Sequence, residues 1–329
     1  MSTAPGSPAA AGFPTLRRAR ASHFALADRA YQLTLGALAA LVIALAVLIV
    51  YEMARGAAPS MRAFGLHFLV STDWDPVADK FGALPYLYGT LMSSALALLF
   101  AVPLGLCTAI FLAEIARPRI GSAVAFVVEM LASIPSIVYG LWGVFVLAPW
   151  LRGAIEPWLV AHLGFLPLFS GFPFGLGMLN AGLVLSIMVL PTIVSLTREI
   201  LLATPRTLRE AARALGATSA EAIAVSVEAA RPGILGAVIL ALGRALGETM
   251  AVTMVIGNTN RISLSLLAPG ATMASVIANE FTEATGRLHL AALIEIALLL
   301  FAMTLVVNGL ARLLVYWTFG GRRDVAGAA

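Results

Sequence analysis

Arg244 and Glu248 stand four residues apart in Gly243-Arg244-Ala245-Leu246-Gly247-Glu248, inside an apolar run from Gly233 to Ile256. On a continuous helix, residues at that spacing share one face. Counted from Gly233, Arg244 lies about 16 Å along, at roughly 1.5 Å per residue. A charge that deep in hydrocarbon costs at least about 2.5–3.5 kcal/mol, so it must face protein or a wet cavity. Two chemistries fit. The pair can neutralise itself as a structural ion pair, or the guanidinium can fork onto the oxygens of a phosphate-like anion. In the second case Glu248 holds Arg244 in place or accepts a proton from a protonated anion. Spacing alone leaves both open. Gly243 and Gly247 form a small-xxx-small pair that lets another helix approach closely.

The chain cannot be an ATPase by itself. A P-loop requires a lysine after glycine, and the single lysine, Lys80, is followed by Phe81. Cys107 is the only cysteine, and His23, His67, His162 and His289 are scattered. No disulfide framework, metal site or bound cofactor is expected.

The elements that must hold Arg244 are membrane helices. The chain has 329 residues, of which 60% are hydrophobic and 12% charged, and its mean hydropathy is +0.94. Soluble domains carry about a quarter charged residues. Crossing about 30 Å of hydrocarbon takes about 20 apolar residues. Six segments qualify: Tyr31–Met53, Leu87–Ala113, Gly121–Leu147, Leu179–Leu196, Gly233–Ile256 and His289–Tyr316. The pattern predicts an all-α integral membrane protein. Residues 1–30 read as a disordered tail and 31–86 as a first span with its outward loop. A core follows over 87–314, then a short tail over 315–329.

Arginines orient the spans. Arg17, Arg18, Arg20, Arg29, Arg117, Arg119, Arg198, Arg206, Arg209, Arg213, Arg231, Arg312, Arg322 and Arg323 fall on one side. Only Arg55, Arg62, Lys80, Arg152, Arg261 and Arg287 fall on the other. The positive-inside rule places both termini in the cytoplasm. Pro135, with Gly140 and Gly143, interrupts the third span, either as ordinary membrane-helix composition or as a hinge. The apolar loop Pro149–Met178 is expected at the interface or dipping into protein, because lipid does not tolerate irregular backbone. Glu129 and Glu295 lie at membrane depth and are expected to hydrogen-bond between helices. Glu114, beside Arg117 and Arg119, is expected at the interface.

The cytoplasmic segment 204–232 reads as helix–glycine–helix. Thr207 with Glu210, and Thr218 with Glu221, have capping-box spacing. Gly216 suits a left-handed helix end. Leu208, Ala211, Ala212 and Leu215 make a small apolar stripe rimmed by Arg206, Arg209 and Arg213. An apolar knob with a basic rim fits a partner's groove.

Glu210-Ala211-Ala212, three residues, then Gly216 resembles the EAA loop of ABC-importer permeases. Ser133 to Gly143 and Leu242 to Ala251 resemble the phosphate-specific (Pst) permeases. Ala278-Asn279-Glu280-Phe281, with Leu288-His289 and Ala291-Ala292-Leu293, resembles their PstC-type subunit more than the PstA-type. Where the EAA motif usually ends Ile-x-Leu-Pro, this chain has Ser226-Val227-Glu228-Ala229. The resemblance implies a six-helix, type I ABC importer permease of the cytoplasmic (inner) membrane, docking an ATPase through Leu208, Glu210, Ala211, Ala212, Leu215 and Gly216. It implies a PstA-type permease partner, a PstB-type ATPase dimer using ATP and Mg2+, and a PstS-type phosphate-binding protein. It also gives Arg244 and Glu248 a part in phosphate passage. Alternatives are a permease for molybdate, sulfate or phosphonate, a scaffold for phosphate signalling, and a secondary transporter.

Overall fold

The computed structural model describes residues 16–319, with side chains from 28 to 317. Helix α1 spans Leu16–Phe64 and α2 His67–Val70. The long α3, Leu84–Ile110, passes into a π turn at Phe111–Ile115. Next come α4, Pro118–Ala132, and α5, Ser136–Trp142. Two further π turns flank α6, Ala148–Trp150, and lead into α7, Glu156–Leu163. Helix α8, Met178–Ala203, precedes α9, Arg206–Ala214, and α10, Ser219–Leu246. The chain closes with α11, Met250–Val255, α12, Met273–Glu280, and α13, Arg287–Phe319. It divides into two units, one ending at Glu52 and one starting at Met53.

Among the described residues, six helical segments are long and apolar enough to cross a membrane, and the third and fifth differ most from the expected ones. The third runs Ser136–Leu163, not Gly121–Leu147. Pro135 disfavours helix in the residue before it, and the backbone breaks over Ser133–Pro135. That break makes α4 a separate helix. The expected loop Pro149–Met178 is helical as far as Leu163, and irregular only from there. The fifth span starts far earlier than Gly233, because α10 runs through Pro232 without stopping. It also ends earlier, at Leu246. At the N-terminus the helix starts at Leu16, inside the segment read as a tail; residues 1–15 and 320–329 lie outside the described ones.

The core packs α3 along α8, with Leu96, Ala97 and Ala101 against Val184, Leu185, Met188 and Ile193. The first turn of α8 is buried, and its backbone N–H groups lack intrahelical partners. Neighbouring carbonyls fill the gap. Gly177 N donates to Val255 O at 3.0 Å, Met178 N to Ala268 O at 3.2 Å and Leu179 N to Leu266 O at 2.7 Å. Buried Asn180 donates to Gly175 O at 2.7 Å, and buried Glu156 accepts from Gly175 N at 2.8 Å. A second apolar cluster joins Phe68, Phe81 and Tyr86 to Met273, Leu293 and Ile296. There α3 and the loop before α12 touch so closely that a Cβ on Gly89 would stand 2.0 Å from Ala271 O.

Candidate functional site

Gly247 terminates α10, so Arg244 sits in that helix's last turn. A cation there faces the unpaired carbonyl ends and is favoured by about 0.3–1 kcal/mol. Glu248 lies beyond the helix, which removes the shared face that the spacing assumed. Its Oε1 accepts from Ala251 N at 3.2 Å, capping the start of α11. Among the described residues, no ion pair within 4.0 Å joins Glu248 to Arg244. The two carry separate jobs: Glu248 fixes the break, and Arg244, which is exposed, keeps its charge available.

Arg244 forms part of the wall of a cavity of about 740 Å3 between α8, α10 and α13. Thr192, Thr304, Asn308 and Arg312 are its other polar contributors. Gly243 faces Asn308, whose amide nitrogen would lie 3.3 Å from an added Cβ. Gly247 has open space beyond its own helix end, the nearest atom being Gly243 O at 3.7 Å. Only the first half of the small-residue pair is therefore at a helix contact. Pro135 is the residue just before α5, at the break itself.

At the other end of α10, Gly216 has φ +90°, a conformation that glycine adopts without penalty. Thr218 Oγ1 accepts from Glu221 N at 3.4 Å while Glu221 Oε2 accepts from Thr218 N at 2.8 Å, a complete capping box. The box expected at Thr207 and Glu210 is absent: α9 starts after Pro205 and has no side-chain cap. Proline at that position already fixes the backbone where the helix begins. Leu208, Glu210, Ala211 and Leu215 are exposed, Leu215 at 90%, and Ala212 is half-buried.

Two polar contacts escaped the sequence reading. Glu114 is not at an open interface; its carboxylate is buried on the π turn after α3 and pairs with Arg209 of α9. Arg206, Arg213 and Glu210 line the same small recess. Glu156 was also missed. Of the membrane-depth carboxylates, Glu295 is buried on α13 and Glu129 is exposed on α4.

Residues 101–318 match the family of binding-protein-dependent transport system inner membrane components. The chain is 44% identical over 301 residues to a protein of Mesorhizobium japonicum named phosphate transport system permease protein PstC, covering 90% of this chain and 92% of that one. A protein of the same name from Haemophilus influenzae is 44% identical over 290 residues, covering 87% and 92%. The probable PstC of Methanocaldococcus jannaschii is 37% identical over 258 residues, covering 77% and 82%. The backbone also matches the inward-facing MetNI methionine ABC transporter with a TM-score of 0.50 at 19% identity, covering 74% of this chain and 98% of that one, a likeness of fold. The chain belongs to the binding-protein-dependent transport inner-membrane components, as an all-α, multi-pass permease of the inner membrane with a type I ABC importer fold. Within that family, the relatives named here are PstC-type permeases.

Proposed function

We propose that this chain is the PstC-type permease subunit of an ATP-driven importer carrying inorganic phosphate across the cytoplasmic membrane. Its work is to position charge along a low-dielectric path, where one cation counts for more than in water. The basic-residue bias places both termini and α9 in the cytoplasm. A PstB-type ATPase dimer, using ATP and Mg2+, grips the exposed Leu208, Ala211 and Leu215. A PstA-type permease completes the pathway, and a PstS-type binding protein delivers phosphate at the opposite face. When the ATPase closes, α9 and α10 move together, and the breaks at Pro135 and Gly247 let the spans rock around Arg244.

The observation that carries this reading is Arg244: a guanidinium with no carboxylate partner among the described residues, on a cavity wall between apolar helices. The test is Arg244→Gln in the complete transporter, reconstituted in vesicles with its binding protein and ATP. Uptake is expected to fall about 100-fold, the scale of a lost hydrogen bond to a charged group, while the complex still assembles. Normal uptake would remove the assigned role. Stronger competition by molybdate or sulfate than by unlabelled phosphate would reassign the substrate.

A further inference from the structure

Thr304, Asn308 and Arg312 recur every fourth residue on α13, which places them on one face of that helix. All three turn into the cavity that holds Arg244. As successive spans, α10 and α13 cross the membrane in opposite directions, and Gly243 is level with Asn308. Stepping from Arg244 to Arg312 therefore moves toward the coupling segment, by about 6 Å per four residues of α13. An ionisable side chain in an apolar span is a functional-site hypothesis by default, and Arg312 is one.

Asn308 adds a second, independent sign. Its Oδ1 is buried and finds no hydrogen-bond partner among the described residues. Nine other buried polar atoms share that state, but among them Asn308 alone lines the Arg244 cavity, and such an atom asks for a donor. Oδ1 is closed to water where the side chain stands, so the carboxamide turns about its last torsion to present its donor and acceptor side by side. Its complement is an oxyanion that still carries a proton: one oxygen accepts from the amide N–H, and the O–H donates to Oδ1. Sulfate at neutral pH has no such proton.

We propose that Asn308 and Arg312 form an anion station inward of Arg244, at which a protonated oxyanion, monohydrogen or dihydrogen phosphate, is held on its way to the cytoplasm. The station rests on the reading that Arg244 lines the pathway. Asn308 recognises the protonated oxygen, and Arg312 balances the remaining charge. Thr304, whose hydroxyl donates to Leu300 O at 2.8 Å, keeps lone pairs rather than a proton toward the cavity. It therefore serves the wall rather than the anion.

The test uses the complete transporter in vesicles, with labelled phosphate carried per ATP hydrolysed as the readout. Asn308→Leu and Arg312→Gln are each expected to lower that ratio about tenfold or more, the scale of a hydrogen bond to a charged group. Arg312→Lys is expected to recover it to within about threefold of the parent, since a point charge survives the exchange. If Asn308→Leu does not assemble, the smaller Asn308→Ala takes its place with the same expected loss. A ratio left at the parent value in both the Asn308 and Arg312 variants overturns the station. So does a parallel fall in uptake and ATP turnover that Arg312→Lys fails to reverse, which is what structural damage gives. Arg244→Gln run alongside separates the two ideas. If it is inactive while the Asn308 and Arg312 variants carry normally, only the station fails; if it carries normally, the pathway itself is misplaced.

Discussion

Breaking the Arg209–Glu114 pair is the sharpest perturbation of the link between α9 and the bundle. The Glu114 side chain is 2% exposed and that of Arg209 22%, so removing the arginine strands a carboxylate away from water. Its other oxygen, Oε1, already lacks a partner among the described residues. Loss of one member of a buried pair costs about 3–5 kcal/mol. Arg209 is wet enough on one side to place Arg209→Met near about 3 kcal/mol. If α9 opens on its own, its backbone amides should exchange about a hundredfold faster. Glu114→Gln removes the charge but keeps an acceptor, so about 1.5–3 kcal/mol is expected. The double variant should cost about 2 kcal/mol less than the two singles added together, the signature of direct contact. Hydrogen exchange over residues 206–214 in the assembled transporter measures all three. Strict additivity, or an unchanged exchange rate in Arg209→Met, would show that α9 is held by something else.

Two further perturbations test the frame. Gly89→Ala drives a methyl to within 2.0 Å of the Ala271 carbonyl, a backbone atom that cannot rotate away. It should destabilise the purified complex by about 1–3 kcal/mol, and an unchanged melting temperature would mean that α3 and the loop before α12 are not locked together. Thr218→Ala removes the capping oxygen of α10 and should cost about 1 kcal/mol, while Thr218→Ser should keep it. Equal stabilities for the alanine and serine variants would dispose of the cap.

What the sequence makes legible here is what local physics decides. Long apolar runs announce helices, Thr218 and Glu221 announce a cap, and Gly216 announces a reversal, because each signal lies within a few residues of its effect. An arginine amid apolar neighbours singles itself out in the same way. The end of α10 at Leu246 was not legible. Gly247 ends it, whereas Gly233, Gly236 and Gly243 lie inside it and Pro232 leaves it unbroken; nothing in the residue types separates these cases. The Arg209–Glu114 contact spans 95 residues of chain, and Arg117 and Arg119 lie nearer in sequence as partners. Buried Glu156 is held by Gly175 N, 19 residues on, and Gly175 is held in turn by Asn180 of α8, contacts that no local pattern announces.

Because α10 is unbroken from its Thr218 cap to Leu246, it behaves as a stiff pointer from that cap to the wall of the Arg244 cavity. At roughly 1.5 Å per residue its length is about 42 Å, so a tilt of only about 5° at the base sweeps the tip through roughly 3–4 Å. That displacement is comparable to the diameter of a water molecule. A small shift at the cytoplasmic end of α10 would thereby displace the wall of the Arg244 cavity at its far end.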